Sequence, residues 1–107
     1  MAEKIADFVA TARPDGQTAI IELQGEINNR ADAALAAAYQ EAGQFNPTSI
    51  VLDFSQVDYI NSTGIALIVG LLAQARAAHQ PLVAVGLSEH YREIFTITRL
   101  SDFMEIR

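Results

Sequence analysis

A chain of 107 residues, half of them apolar, is long enough for a single domain, residues 1–107, with its own core and no staples. The absence of cysteine excludes a disulfide framework, a thiol nucleophile and a cysteine zinc site. Thirteen acidic residues against seven scattered basic ones leave a formal charge of −6, which argues against nucleic acid or an anionic membrane surface as a partner.

Met1-Ala2-Glu3-Lys4 lacks the basic-then-apolar pattern of a signal peptide, and a cytoplasmic protein fits. Ile5 to Thr11 alternates loosely as a first strand. Arg13-Pro14-Asp15-Gly16 reads as a turn, because proline presets φ and glycine permits positive φ. Thr18 to Gln24 predicts a second strand, joined to the first by a hairpin loop of about three to five residues. Gly25 to Asn29 leaves that strand, and Asn28 or Asn29 is placed to cap a helix over Ala31 to Ala42. Leu35 and Tyr39 are the larger apolar anchors of this alanine-rich helix, and Gly43 is placed to end it at C′. Asn46-Pro47 marks a turn before the next strand.

The centre of the sequence is Ser49 to Leu72. Ile50, Val51, Leu52 and Phe54 predict a buried strand, and Ser55, Gln56 and Asp58 predict a short loop after it. A helix starts at Asn61 or Ser62. Gly64 to Ala73 is apolar throughout, too short to span a bilayer and apolar enough to be buried on most sides against a sheet. Ile65, Ile68 and Leu72 share one face, which Leu67 and Leu71 widen. The helix is expected to fray from Gln74 to Gln80, and Pro81 stops it. Leu82 to Val85 predicts a short buried strand. Ser88 caps a third helix, about Glu89 to Thr98, whose inner face is Ile94, Phe95 and Thr98; Phe103 to Ile106 predicts a last edge strand. The order β-β-α-β-α-β-α-β implies a small α/β domain: one mixed sheet, opened by the hairpin, with helices mainly on one face.

Little in this pattern suggests an enzyme. His79 and His90 fit no metal motif, no Gly-x-Ser-x-Gly elbow supports a triad, and Gly64 and Gly70 form no Walker-type cradle. Asp53 and Asp58 flank the central loop, where an acid usually caps a turn through its own backbone. No metal and no cofactor are expected. The informative polar stretch is Asn61-Ser62-Thr63-Gly64 at the mouth of the apolar helix. Three N-cap residue types in succession are redundant capping, or one hydroxyl is displayed at the positive end of the helix dipole. Gly64 would let the backbone come close to whatever docks there.

Asp58 to Gly64 closely resembles the signature of the STAS domain of bacterial anti-sigma-factor antagonists, an Asp-Ser-Ser/Thr-Gly motif at the start of a helix. Gly25-Glu26-Ile27-Asn28 is similar to the family's Gly-Glu-Leu-Asp segment, Leu82 to Gly86 to its fourth strand, and Ile94 to Met104 to its third helix and last strand. The resemblance implies the STAS fold and makes Ser62 the phosphorylated serine. It implies a partner-binding face of Asn28, Asn61, Ser62, Thr63 and Gly64, and an anti-sigma factor with serine/threonine kinase activity as the partner. The unmodified antagonist would bind that kinase and free a sigma factor, and phosphorylation would release it. A monomer or weak dimer is expected. Two positions depart from the family pattern: the aspartates of the two motifs are Asn61 and Asn28 here. An alternative is a STAS module that is never phosphorylated, a scaffold or subunit of a signalling or transporter complex.

Overall fold

The computed structural model describes residues 8–107. Among the described residues, five strands form one sheet in the order β1-β2-β3-β4-β5, which is also chain order. Strand β1 (Phe8–Asp15) pairs antiparallel with β2 (Thr18–Ile27); β3 (Ser49–Ile60), β4 (Leu82–Val85) and β5 (Glu105–Ile106) continue in parallel. Helices α1 (Asp32–Gly43), α2 (Ser62–Ala77) and α3 (Glu89–Ile97) form the crossovers. This is the small mixed α/β sheet expected from the sequence.

The helices share one face. Ala19, Ile21 and Leu23 of β2, Ile50, Leu52 and Phe54 of β3, and Leu82 and Ala84 of β4 alternate inward. They form a single core with Leu35, Ala38 and Ala42 of α1, Ile68, Leu71, Leu72 and Ala75 of α2, and Tyr91 and Phe95 of α3. Phe95, fully buried, meets Phe54 edge-on at 5.7 Å. No helix among the described residues is long and apolar enough to cross a membrane.

Several expectations are corrected. The hairpin loop is two residues, Gly16 and Gln17, because Asp15 already pairs with Thr18. Gly16 at φ 61, followed by a residue outside the left-handed region, suits a tight hairpin turn, so Arg13-Pro14-Asp15 stays in the strand. The expected start of the first strand, Ile5 to Asp7, lies outside the described residues. Helix α1 starts at Asp32, after a single 3-10 turn, Asn29–Ala31. Gly43 is its last helical residue, and Asn46 takes the left-handed position at φ 52 instead. Helix α2 does not fray at Gln74; it runs to Ala77 and reverses at His79, φ 56. It is buried on one side only, with Ala66, Val69, Gly70 and Ala73 exposed. On α3, Tyr91 joins Phe95 on the inner face, while Thr98 is exposed and its hydroxyl bonds the Ile94 carbonyl at 2.7 Å. Phe103 is exposed and precedes the last strand, under the Arg76 guanidinium at 4.7 Å.

The largest correction concerns the centre. No loop separates the buried strand from α2: β3 continues through Ser55, Gln56 and Asp58 to Ile60, twelve residues in all. Two bulges make this possible. Between Glu22 and Gln24 the partner strand advances from Asp53 to Gln56, and between Gly25 and Glu26 it advances from Val57 to Tyr59. Asp53 serves the first bulge, its Oδ1 accepting the Ser55 amide at 2.9 Å, which is the backbone-capping use expected of an acid there. After both bulges Ile60 points inward again and pairs with Ile27.

Candidate functional site

The paired residues Ile27 and Ile60 are the last of β2 and β3. One step beyond each stands an asparagine, and both asparagines do the same local work. Asn28 Oδ1 accepts the Arg30 amide at 2.9 Å and caps the 3-10 turn. Asn61 Oδ1 accepts the Gly64 amide at 2.8 Å and caps α2. The Asn61 main chain is engaged as well, its amide donating to the Ile27 carbonyl at 3.2 Å and its carbonyl accepting the Ile65 amide at 2.9 Å.

Asn61 is therefore the N-cap and Ser62 is the first helical residue. The open choice among three capping residues is settled by chain direction, since Asn61 alone has extended backbone, φ −90 and ψ −178. Ser62 and Thr63 are spared that duty and both are exposed. With the Gly64 and Ile65 amides occupied, the Ser62 and Thr63 amides are the first-turn donors outside the helical ladder. A hydroxyl is thus displayed beside free donors at the positive end of a sixteen-residue helix.

Gly64 does not belong to the displayed surface. It is buried, and a Cβ there would overlap the Ile27 carbonyl oxygen and lie 3.0 Å from Ile60 Cγ2. The close approach that glycine permits is between α2 and its own sheet rather than to a docked partner. Of the five residues assigned to a partner face, Ser62 and Thr63 are exposed, Asn28 and Asn61 are half-buried at its rim, and Gly64 lies beneath.

One residue of the site went unnoticed in the sequence. The Tyr91 hydroxyl, reaching across from α3, accepts the buried Ile60 amide at 2.9 Å. Its i, i+4 spacing to Phe95 marks it as an inward residue of an amphipathic helix, but nothing local signals where its hydroxyl goes.

The fold and this mouth define a small α/β domain that offers a hydroxyl on a capped helix end. A family model described as Mlab, STAS domain matches residues 10–106. The chain belongs to the STAS domain family. Over 56 residues it is 39% identical to the anti-sigma-B factor antagonist of Listeria monocytogenes, a stretch covering 52% of this chain and 49% of that protein. Over 102 residues it is 28% identical to the anti-sigma-F factor antagonist RsfB of Mycobacterium tuberculosis, covering 84% of each. The match therefore spans about half the length of the Listeria relatives and most of the mycobacterial one. In fold the chain is similar to the anti-sigma factor antagonist SpoIIAA in its unphosphorylated form, with TM-score 0.71 at 20% identity over 92% of this chain and 87% of that one. The phosphorylated form of SpoIIAA from Bacillus gives TM-score 0.69 at 22% identity over 92% and 91%.

Proposed function

We propose that this chain is a cytoplasmic anti-sigma-factor antagonist. It binds an anti-sigma factor with serine/threonine kinase activity and is switched off by phosphorylation of Ser62. The observation that carries this reading is the exposed Ser62 hydroxyl at the first position of α2, with capping already supplied by Asn61. The names of the relatives support the partner class, and SpoIIAA, solved in both phosphorylation states, supports the kind of switch.

The chemistry belongs to the partner. Ser62 Oγ attacks the γ-phosphorus of ATP, the bond to the β,γ-bridging oxygen breaks, and ADP leaves. The hydroxyl proton passes to a base on the kinase. This chain contributes a rigid acceptor and is not itself an enzyme. Phosphoserine adds about −1.5 to −2 charges. The Ser62 and Thr63 amides and the helix dipole receive that charge within the domain, whereas a tight protein contact without a cationic partner does not. Thr63 is the poorer acceptor because its β-branched side chain is more restricted.

Intact mass of protein recovered from its native cells, with and without phosphatase, tests the reading. A phosphatase-sensitive mass increment mapped to Ser62 is expected; label confined to Thr63, or none under any growth condition, defeats it. The scaffold reading is favoured by one observation. Both positions where the family pattern has a carboxylate carry neutral asparagines, and the Oδ1 of each caps a backbone amide.

A further inference from the structure

We propose that Tyr91 is a positioning residue for Ser62: its hydroxyl stands in for a missing strand and holds the end of β3 that delivers the acceptor. The inference rests on the reading of Ser62 as phosphoacceptor. Backbone amides alternate sides along a strand. The Asn61 amide points to β2, where it meets the Ile27 carbonyl. The Ile60 amide therefore points to the β4 side. Strand β4 pairs with β3 only from Ile50–Leu82 to Asp53–Val85, and it ends there. Among the described residues, no strand neighbours the last residues of β3 on that side.

Tyr91 fills the gap. Its hydroxyl accepts the Ile60 amide at 2.9 Å and lies 3.5 Å from the Ile60 carbonyl oxygen, toward which it donates weakly. One side chain thus serves both backbone groups of the residue two places before Ser62. The ring is held at its root, where the Tyr91 amide donates to the Ser88 cap at 3.2 Å, and the His90 ring packs edge-on at 4.9 Å. The ring belongs to the buried core, and a cavity of about 110 Å³ lies beside it, lined in part by Val57, Ile60, Leu87 and Tyr91. The hydroxyl is the specific tie. Phosphoryl transfer demands an acceptor oxygen in line with the γ-phosphorus, so looseness two residues upstream acts on the rate within the bound complex more than on docking.

The test uses Tyr91→Phe in the full chain, with Phe95→Leu as a control that loosens the same helix without touching the hydroxyl. The kinase source is the fraction of native lysate retained on immobilised wild-type protein, supplied with labelled ATP. For Tyr91→Phe, labelling of Ser62 is expected to fall at least tenfold, in kcat rather than KM, with a larger share of label on Thr63. The Ile60 amide should exchange with deuterium at least tenfold faster while β4 amides do not change. Phe95→Leu should keep the wild-type site ratio. Wild-type kinetics and site ratio in Tyr91→Phe, or an equal loss of fidelity in Phe95→Leu, overturn the inference alone. Absence of label on wild-type Ser62 overturns the phosphorylation reading, and this inference with it.

Discussion

Gly64 sits against the carbonyl of Ile27 so closely that a Cβ on Gly64 would overlap the carbonyl oxygen and come within 2.8 Å of its carbon. That same oxygen accepts the Asn61 amide at 3.2 Å. One contact therefore sets both how near α2 lies to β2 and where its first residue begins.

The ordinary benefit of alanine in a helix should be inverted there. Alanine exceeds glycine by about 1 kcal/mol in an unencumbered helix. At Gly64 the added methyl must push the helix off the strand end, and overpacking costs about 1–3 kcal/mol. Gly64→Ala is expected to lose stability in that range, whereas Gly70→Ala, whose Cβ would meet nothing within 4 Å, should gain about 0.5–1 kcal/mol. Urea melts of the two variants read this directly; a stabilising Gly64→Ala would show that the contact relaxes freely.

Burial ranks two neighbours on α2. Ile68 is fully buried, while Leu67 is only partly so. Ile68→Ala should cost about 2–5 kcal/mol, and Leu67→Ala clearly less. Equal melting curves for the two variants would contradict the orientation of the helix.

Asn61 carries a separable role as a cap. Asn61→Ala should cost about 0.5–2 kcal/mol, and Asn61→Asp should retain the cap and gain a few tenths from the dipole. The same aspartate places a charge beside Ser62, so its effect on labelling by the kinase should exceed its effect on stability. Adding Asn28→Asp, whose side chain caps the 3-10 turn, extends the test. Labelling of the double variant at the wild-type rate would show that these positions do not tune transfer.

On the proposed reading, changes at Ser62 should separate folding from binding. Phosphorylation should leave Tm nearly unchanged, since the helix mouth accepts the charge, yet weaken partner affinity tenfold or more, about 1.4 kcal/mol. Ser62→Ala should bind constitutively and Ser62→Asp poorly, measured by titration against the anti-sigma factor. Equal affinities for the two would remove the switch and leave the scaffold reading.

Much of the site is local and therefore legible in the residues. A short polar run before a long apolar one announces a helix mouth, Ser88 before Glu89 announces the next cap, and both form as read. The β3 extension was not legible, because Ser55, Gln56 and Asp58 carry loop chemistry. They stay in the strand only because bulges opposite β2 absorb the extra residues and Asp53 satisfies the displaced amide.

The amino-acid order by itself determined the alternation of strands and helices, the apolar core positions and the capped helix start, since each depends on neighbours within one or two turns. Tertiary structure alone decided which of Asn61, Ser62 and Thr63 caps and which are displayed, because strand β3 ends only where Ile60 meets Ile27. It also moved Gly64 from the surface to the interior and brought Tyr91 to Ile60 across 31 residues of chain. Contacts at that separation depend on how the sheet and helices close on one another, and no local pattern encodes that closure.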